Sequence, residues 1–289
     1  MSKVIIFGAG LYGRKYALDC LQNGDTILYF IDNDSAKHGT TIALECAGEG
    51  GRMSFSVLHP NALLETEFDR VIIATHTGFN EVAAQLAAQG IAPHKIDGSY
   101  TEHNIWARKA FLTNFAMLAK ERNLEGACAE VGVYRGDFAR HINALFPTKK
   151  LYLFDTFEGF AAVDLQNESK EAQNLGAGHF ANTSVELVLS KMPHVEQCIV
   201  KKGWFPETAK GLEDERFCFV SLDTDLYDPI LAGLEFFYPR MVNGGAILVD
   251  DYFSTYDGVK KAVDCFAAKM RMFAMPIGDN GGVILVKGG

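Results

Sequence analysis

The chain has no basic excess: 27 Lys and Arg stand against 36 Asp and Glu, a formal net charge of −9. The acid surplus is spread over both halves, so the electrostatic footprint of nucleic-acid binding is missing and no nucleic-acid partner is expected. Long apolar runs are also absent. Stretches such as the one in GGAILVD stop after a few residues, and MSKVIIFGAG begins directly with a strand-like segment, so neither a membrane span nor a signal peptide is expected. A cytoplasmic protein is the expectation. The 6 cysteines (Cys20, Cys46, Cys128, Cys198, Cys218 and Cys265) show no CxxC spacing, and most lie in apolar runs where a thiol acts as a small hydrophobe. Neither a disulfide framework nor a zinc site is indicated. With 48% hydrophobic and 22% charged residues, the composition excludes collagen-like, coiled-coil and low-complexity chains, and 289 residues suffice for two domains.

Apolar β-branched runs alternate with helical patterns from end to end, the signature of parallel α/β architecture. The pattern occurs twice. KVIIF, TILYFID and RVIIAT alternate with helix-like stretches at 11–23 and 79–89, closing at KIDG. Residues 99–104, SYTEHN, carry no periodicity and read as a linker; an amphipathic helix follows over 105–123. A second series of strands, ACAEVGVY, LYLFD, CIVKKG, FCFVSLDTD and GAILVDD, ends in a hairpin that turns through Asp279 and Asn280. The expected fold is therefore α/β, with two doubly wound Rossmann-like domains, 1–98 and 105–289.

In the first half, Gly8, Gly10 and Gly13 form a GxGxxG turn between a strand and a helix, and Asp32 ends the next strand. Such glycines let backbone N–H groups approach a pyrophosphate at a helix N-terminus, and the acid suits a ribose, so these four residues form a candidate nucleotide site. Close helix–strand packing alone also accounts for the glycines. About 97 residues make only half of a dinucleotide fold, so NAD chemistry ranks below simple nucleotide binding. This half resembles the short Rossmann-like domains joined to enzymes of surface-sugar assembly, a resemblance that implies a fold and not an activity.

In the second half, Glu130-Val131-Gly132-Val133-Tyr134-Arg135-Gly136 is a strand, a glycine turn and a helix start without dinucleotide spacing. It suits a loop passing under the amino-acid end of S-adenosylmethionine, and Asp155, one strand over, can accept from ribose hydroxyls. Further on, Asp223 and Asp225 end one strand, and Asp250 and Asp251 the next. Ligands of open α/β sheets bind at the carboxyl ends of strands, where four acids repel one another unless a cation sits among them. All-oxygen ligation selects a hard ion, Mg²⁺ first. Asp228, before Pro229, reads as a helix cap instead.

The blocks EVGVYRGDFA, LYLFDTFEGF, HFANTSVELVLSKM, KKGWFPET, FVSLDTDLYDPILAGLEFFYPRMVNGGAILVDDY and AVDCF resemble, in order, those of the macrocin O-methyltransferase family. The resemblance covers roughly residues 105–289 and implies a class I methyltransferase fold and a metal- and S-adenosylmethionine-dependent sugar O-methyltransferase. Carried over by position, it implies that Asp223, Asp250 and Asp251 ligate Mg²⁺, that Asp225 is the general base, and that Glu130, Gly132 and Asp155 hold the cofactor. Tyr134, Gly136, Thr156, Phe157 and Asp223 complete the expected cofactor contacts. The acceptor is expected to be a small molecule or a glycan. Together with the amphipathic helix over 105–123, the family resemblance makes a homo-oligomer the expectation. A catechol or other vicinal diol is the nearest alternative, and a non-catalytic sugar-nucleotide-binding protein is the alternative of another class. Trp204 and Tyr252 are candidate sugar-stacking walls, His179 is a weaker catalytic candidate, and residues 159–180 are long enough for a lid over the acceptor. Met270, Met272, Met275 and Phe273 read as core or hairpin packing.

Overall fold

The computed structural model describes residues 2–45, 51–75, 79–166, 168, 173–174, 176–254 and 257–288; Cys46 and part of the expected lid, 159–180, lie outside them. The chain divides into two compact units, Met1–Ile105 and Trp106–Gly289.

The first unit has a six-stranded sheet in the order β3-β4-β2-β1-β5-β6. Its strands are β1 (Lys3–Phe7), β2 (Thr26–Ile31), β3 (Thr41–Glu45), β4 (Arg52–Leu58), β5 (Arg70–Ile73) and β6 (Ile96–Asp97). All neighbours are parallel except β3 and β4. Strict alternation in β1 sends Val4 and Ile6 to one core, with Tyr16 of α1 (Leu11–Gln22), and Ile5 and Phe7 to the other, with Leu86 of α2 (Phe79–Ala88). The antiparallel β3–β4 pair is an addition to the strands read from the sequence.

One expectation is corrected. Residues 99–104 are not a linker but the first turns of α3 (Ser99–Glu121). Asp97 accepts from both Ser99 N–H and Ser99 Oγ, which satisfies an otherwise orphaned donor of the helix start. Tyr100 stacks on Tyr16 at 4.6 Å, Thr101 Oγ1 donates to the Ile73 and Thr75 carbonyls, and buried Asn104 bonds the Tyr16 hydroxyl. The buried face of this turn is polar but hydrogen-bonded, so apolar periodicity does not reveal it.

The second unit has a seven-stranded sheet in the order β12-β13-β11-β10-β7-β8-β9. Its strands are β7 (Ala127–Val131), β8 (Leu151–Asp155), β9 (Cys198–Lys202), β10 (Phe217–Leu222), β11 (Met241–Val249), β12 (Met275–Pro276) and β13 (Val283–Val286). Only β13 runs antiparallel, inserted between β11 and β12. The helices are the rest of α3, then α4 (Asp137–Leu145), α5 (Val185–Ser190), α6 (Tyr227–Phe237) and α7 (Asp257–Met270). Phe154, Phe205, Phe217 and Phe237 form a ring cluster under the sheet, with centroids 5.0–5.9 Å apart around Phe237. Each ring buried there stabilises the unit by roughly 1.5–3 kcal/mol. The closing hairpin turns where expected: Asp279 accepts from the N–H groups of Gly281 and Gly282, and Asn280 takes a left-handed φ of 63°.

Three smaller expectations differ. Asp228 does not cap a helix; it lies within the first turn of α6, whose Tyr227 N–H is taken by the distant Glu168 carboxylate. Phe273, Met275 and Met270 are exposed, Phe273 by 86%; Met270 closes α7 and Met275 lies on the short edge strand β12. Only Met272 of that group packs on the core. Among the described residues, no cysteine is disulfide-bonded and no helix is long and apolar enough to cross a membrane.

Candidate active site

Strand β7 lies at the point where the chain turns from one side of the second sheet to the other, with β8 and β9 on one flank and β10 and β11 on the other. Ligands of open α/β sheets bind outside the carboxyl ends of strands at such a point. Four strand ends deliver the expected residues there: Gly132 after β7, Asp155 closing β8, Asp223 after β10 and Asp250 after β11. Each of these ends also holds a non-glycine residue in the left-handed region, namely Tyr134 (φ 47°), Phe157 (φ 55°), Asp225 (φ 61°) and Asp251 (φ 56°). Such a conformation costs about 1–2 kcal/mol per residue, and strain of this kind clusters at functional sites.

Gly132 (φ 84°) is required by close approach: a Cβ there would lie 1.9 Å from the Asp223 carbonyl oxygen. Backbone bonds fix this approach, Gly132 N–H to Phe154 O at 2.9 Å and Asp223 N–H to Val131 O at 2.8 Å. Gly136 is left-handed too and precedes α4. Asp155 is bound into the backbone of the site. Its Oδ2 accepts from the N–H groups of Val133 and Tyr134, and its Oδ1 from that of Phe157. With three of about four acceptor positions engaged, it locks the glycine loop. Thr156 Oγ1 donates to the Gly159 carbonyl, closing the turn beyond β8.

Glu130 is 1% exposed, and its Oε2 is buried without a hydrogen-bond partner. Burial, then the charge of Asp223, pushes its carboxyl well above the ordinary range. A buried acceptor beside the glycine loop is what a cationic or N–H-bearing ligand satisfies, and the chemistry of this loop fits the amino-acid end of S-adenosylmethionine.

One carboxylate oxygen from each of Asp223, Asp225 and Asp251 lies within 4.8 Å of the others, an arrangement able to hold a metal ion. Burial first and the charge of Asp250 next raise Asp223; burial, the hydrogen bond with Asp251 and the surrounding acids raise Asp225 well above a carboxylate's usual value. The donor set is all oxygen and anionic, so it fits a hard divalent cation. Asp250 is engaged differently from the expectation. It is 6% exposed and bonded by Arg108 Nη1, while Arg108 Nη2 reaches Asp223 at 3.1 Å. Nothing in the sequence singled out Arg108, which sits beside exposed Lys109 in an ordinary helical segment.

The other candidates are dispersed. Tyr252 donates to Asp264 at 2.6 Å, and its ring face is covered by the Lys260 ammonium at 4.7 Å, so it is tied to α7 instead of being open as a wall. His179 packs on Phe180 at 4.2 Å and Phe160 at 5.5 Å, and Phe180 meets Tyr134 at 5.0 Å, which makes an aromatic group beside the glycine loop. Trp204 Nε1–H donates to both oxygens of Asp164, a buried acid raised by that burial. Trp204→Phe keeps an aromatic side chain but removes the indole donor, and is expected to cost about 1–3 kcal/mol, read as a lower urea midpoint at unchanged slope.

In the first unit, Gly8 (φ 116°) and Gly13 are again sites of close approach: a Cβ on Gly13 would lie 1.9 Å from the Gly8 carbonyl, whereas one on Gly10 meets nothing within 4 Å. Asp32 accepts from Ala9 N–H, Asp34 N–H and Lys37 Nζ. Burial opposes its charge, but these bonds hold its carboxyl below the ordinary range. Like Asp155, it pins its glycine turn.

The strand order and the strand-end site define a class I methyltransferase fold. Residues 86–282 match the macrocin-O-methyltransferase (TylF) family, and residues 1–97 match a C2185-like N-terminal domain. The chain belongs to the macrocin-O-methyltransferase family. It is 27% identical over 138 residues to 8-demethyl-8-(2,3-dimethoxy-alpha-L-rhamnosyl)-tetracenomycin-C 4'-O-methyltransferase of Streptomyces olivaceus, covering 44% of this chain and 53% of that one. It is 29% identical over 143 residues to mycinamicin III 3''-O-methyltransferase of Micromonospora griseorubida, covering 44% and 55%. The chain thus spans about half the length of these relatives. Among solved structures, the O-methyltransferase NovP superposes with a TM-score of 0.54 at 23% identity, over 63% of this chain and 80% of that one. The calicheamicin methyltransferase CalS11 does so with 0.54 at 15%, over 74% and 91%; at these identities the likeness is one of fold.

Proposed function

We propose that the protein is an S-adenosylmethionine-dependent O-methyltransferase that methylates a hydroxyl of a sugar or glycan with the help of a divalent cation. The observation that carries this reading is the meeting of the Gly132 turn with the Asp223, Asp225 and Asp251 carboxylates at one end of the second sheet. Membership of the macrocin-O-methyltransferase family supports the reaction class, and a rhamnosyl substrate in the name of one relative supports a sugar.

S-adenosylmethionine brings an electrophilic methyl group, so the protein needs to supply position and a proton acceptor. Gly132 keeps the loop low enough for close approach, and Asp155 keeps it rigid through three backbone N–H groups. Glu130 offers its unpartnered Oε2 to the donor end of that ligand. By the family resemblance, Asp223, Asp250 and Asp251 would hold Mg²⁺, which would supply charge compensation and acidify an acceptor hydroxyl. Asp225 takes the hydroxyl proton as the acceptor oxygen gains the methyl group and the carbon–sulfur bond breaks. Burial and the hydrogen bond with Asp251 raise its pKa above the usual carboxylate value, which strengthens it as a base once it is deprotonated.

The test is label transfer from methyl-labelled S-adenosylmethionine to a panel of deoxysugar glycosides, nucleotide sugars and catechols, with EDTA and then with Mg²⁺ restored. Transfer to a sugar hydroxyl, at least tenfold lower in EDTA and recovered with Mg²⁺, is expected. Transfer to catechols alone rejects the sugar acceptor, and undiminished turnover in EDTA rejects the cation.

A further inference from the structure

We propose that Arg108 is a positioning residue of the carboxylate crevice, the resident counter-ion of Asp223 and Asp250, and that it lowers the crevice's affinity for a divalent cation. This inference rests on the cation-assisted reading above.

Arg108 reaches from α3 to the ends of β10 and β11. One terminal nitrogen bonds Asp250 and the other Asp223, so the planar fork spans carboxylates from neighbouring strands. Its plane lies over the Phe138 ring at 4.2 Å, and its Nε–H is buried without an acceptor, so only the two fork tips anchor it to acids. The Arg108 side chain is 15% exposed and the Asp250 side chain 7%. Around it stand Asp223, Asp250, Asp279 and Glu130; burial opposes the guanidinium's charge, but these acids stabilise it overall. A guanidinium stays charged at any working pH.

The cluster able to hold a metal is Asp223, Asp225 and Asp251, and Asp250, beside Asp251 in the chain, is occupied by Arg108. A divalent cation that uses Asp223 and Asp250 therefore meets a fixed positive charge already sharing their oxygens. Removing that charge strengthens the field on the cation, and when no cation is present it also takes the guanidinium pairing away from buried Asp250. Cation affinity and metal-free stability are thus expected to move in opposite directions, a split that loss of packing alone does not produce.

The test uses the full chain freed of metal and titrated with Mn²⁺ by calorimetry, alongside thermal unfolding with and without Mn²⁺. Arg108→Gln is expected to bind Mn²⁺ at least tenfold more tightly than the parent, with a lower metal-free midpoint and a larger rise on adding Mn²⁺. Arg108→Lys, which keeps the charge, is expected to stay within threefold of the parent affinity. Equal or weaker binding by Arg108→Gln overturns the proposal. Binding of Mn²⁺ by neither the parent nor Arg108→Gln rejects the cation reading itself, whereas binding by the variant alone supports the counter-ion role. Should Arg108→Gln fail to fold, the midpoints of Asp250→Asn and of R108Q/D250N decide. Recovery of a folded protein near the Asp250→Asn midpoint supports the pairing, and failure of the double variant to fold overturns it.

Discussion

Asp225→Asn is expected to lower kcat for methyl transfer by about 10²–10⁴-fold, the range for loss of a general base, while S-adenosylmethionine affinity measured by calorimetry stays within a few fold. The substitution is nearly isosteric, and Asn tolerates the left-handed backbone that Asp225 adopts at φ 61°, so the turn after β10 is retained. An amide still hydrogen-bonds Asp251 but has no basic oxygen for a hydroxyl proton. The pH profile makes the role specific. A base works when deprotonated, so parent kcat rises with pH through the pKa of Asp225, which burial and the Asp251 hydrogen bond lift above the usual carboxylate range. That limb is expected to vanish in the variant. Full activity, or an unchanged limb, removes Asp225 from the role.

Gly132→Ala is expected to be the most damaging single-methyl change in the second unit. The added carbon would fall 1.9 Å from the Asp223 carbonyl oxygen, a backbone atom that cannot rotate away, and the residue would sit at φ 84°. Left-handed backbone alone costs about 1–2 kcal/mol, and overpacking adds roughly 1–3 kcal/mol, a large part of a typical total of about 5–15 kcal/mol. Because the clash parts the ends of β7 and β10, cofactor binding is expected to be lost even where the variant folds. Gly10→Ala is the internal comparison: nothing lies within 4 Å of its Cβ position and its φ is −101°, so a change within about 1 kcal/mol is expected. Equal unfolding midpoints for Gly132→Ala and the parent would refute the close-approach argument.

The two cases differ in how far the sequence revealed them. The pairs Asp223/Asp225 and Asp250/Asp251 are visible because each closes an apolar β-branched run, and parallel strands that follow one another bring their carboxyl ends to one edge. What the pairs do there is less visible. The place of Asp155 after LYLFD does not reveal that its oxygens also accept from three backbone N–H groups of the neighbouring turns. The segment SYTEHN looks like a linker because its buried contacts are polar, and a pattern search for apolar spacing does not register hydrogen bonds made to residues 80 or more positions away. The β3–β4 pair escaped for a related reason: β4 is mostly exposed, so RMSFSVL shows only Phe55 and Val57 as buried positions.

The alternation of strands and helices, the two glycine turns and the four acids at strand ends are all legible along the chain, because each depends on local backbone preference or on the side-chain period of a strand. Only the tertiary structure decided which acid meets which cation. Arg108 and Lys109 are adjacent, equally charged and both on α3, and nothing within a few residues distinguishes them. The rotation of α3 turns one guanidinium toward Asp223 and Asp250, more than a hundred residues away, and leaves its neighbour in solvent. Charge pairing acts through space over a few ångströms, and the chain order that a sequence records does not contain those distances.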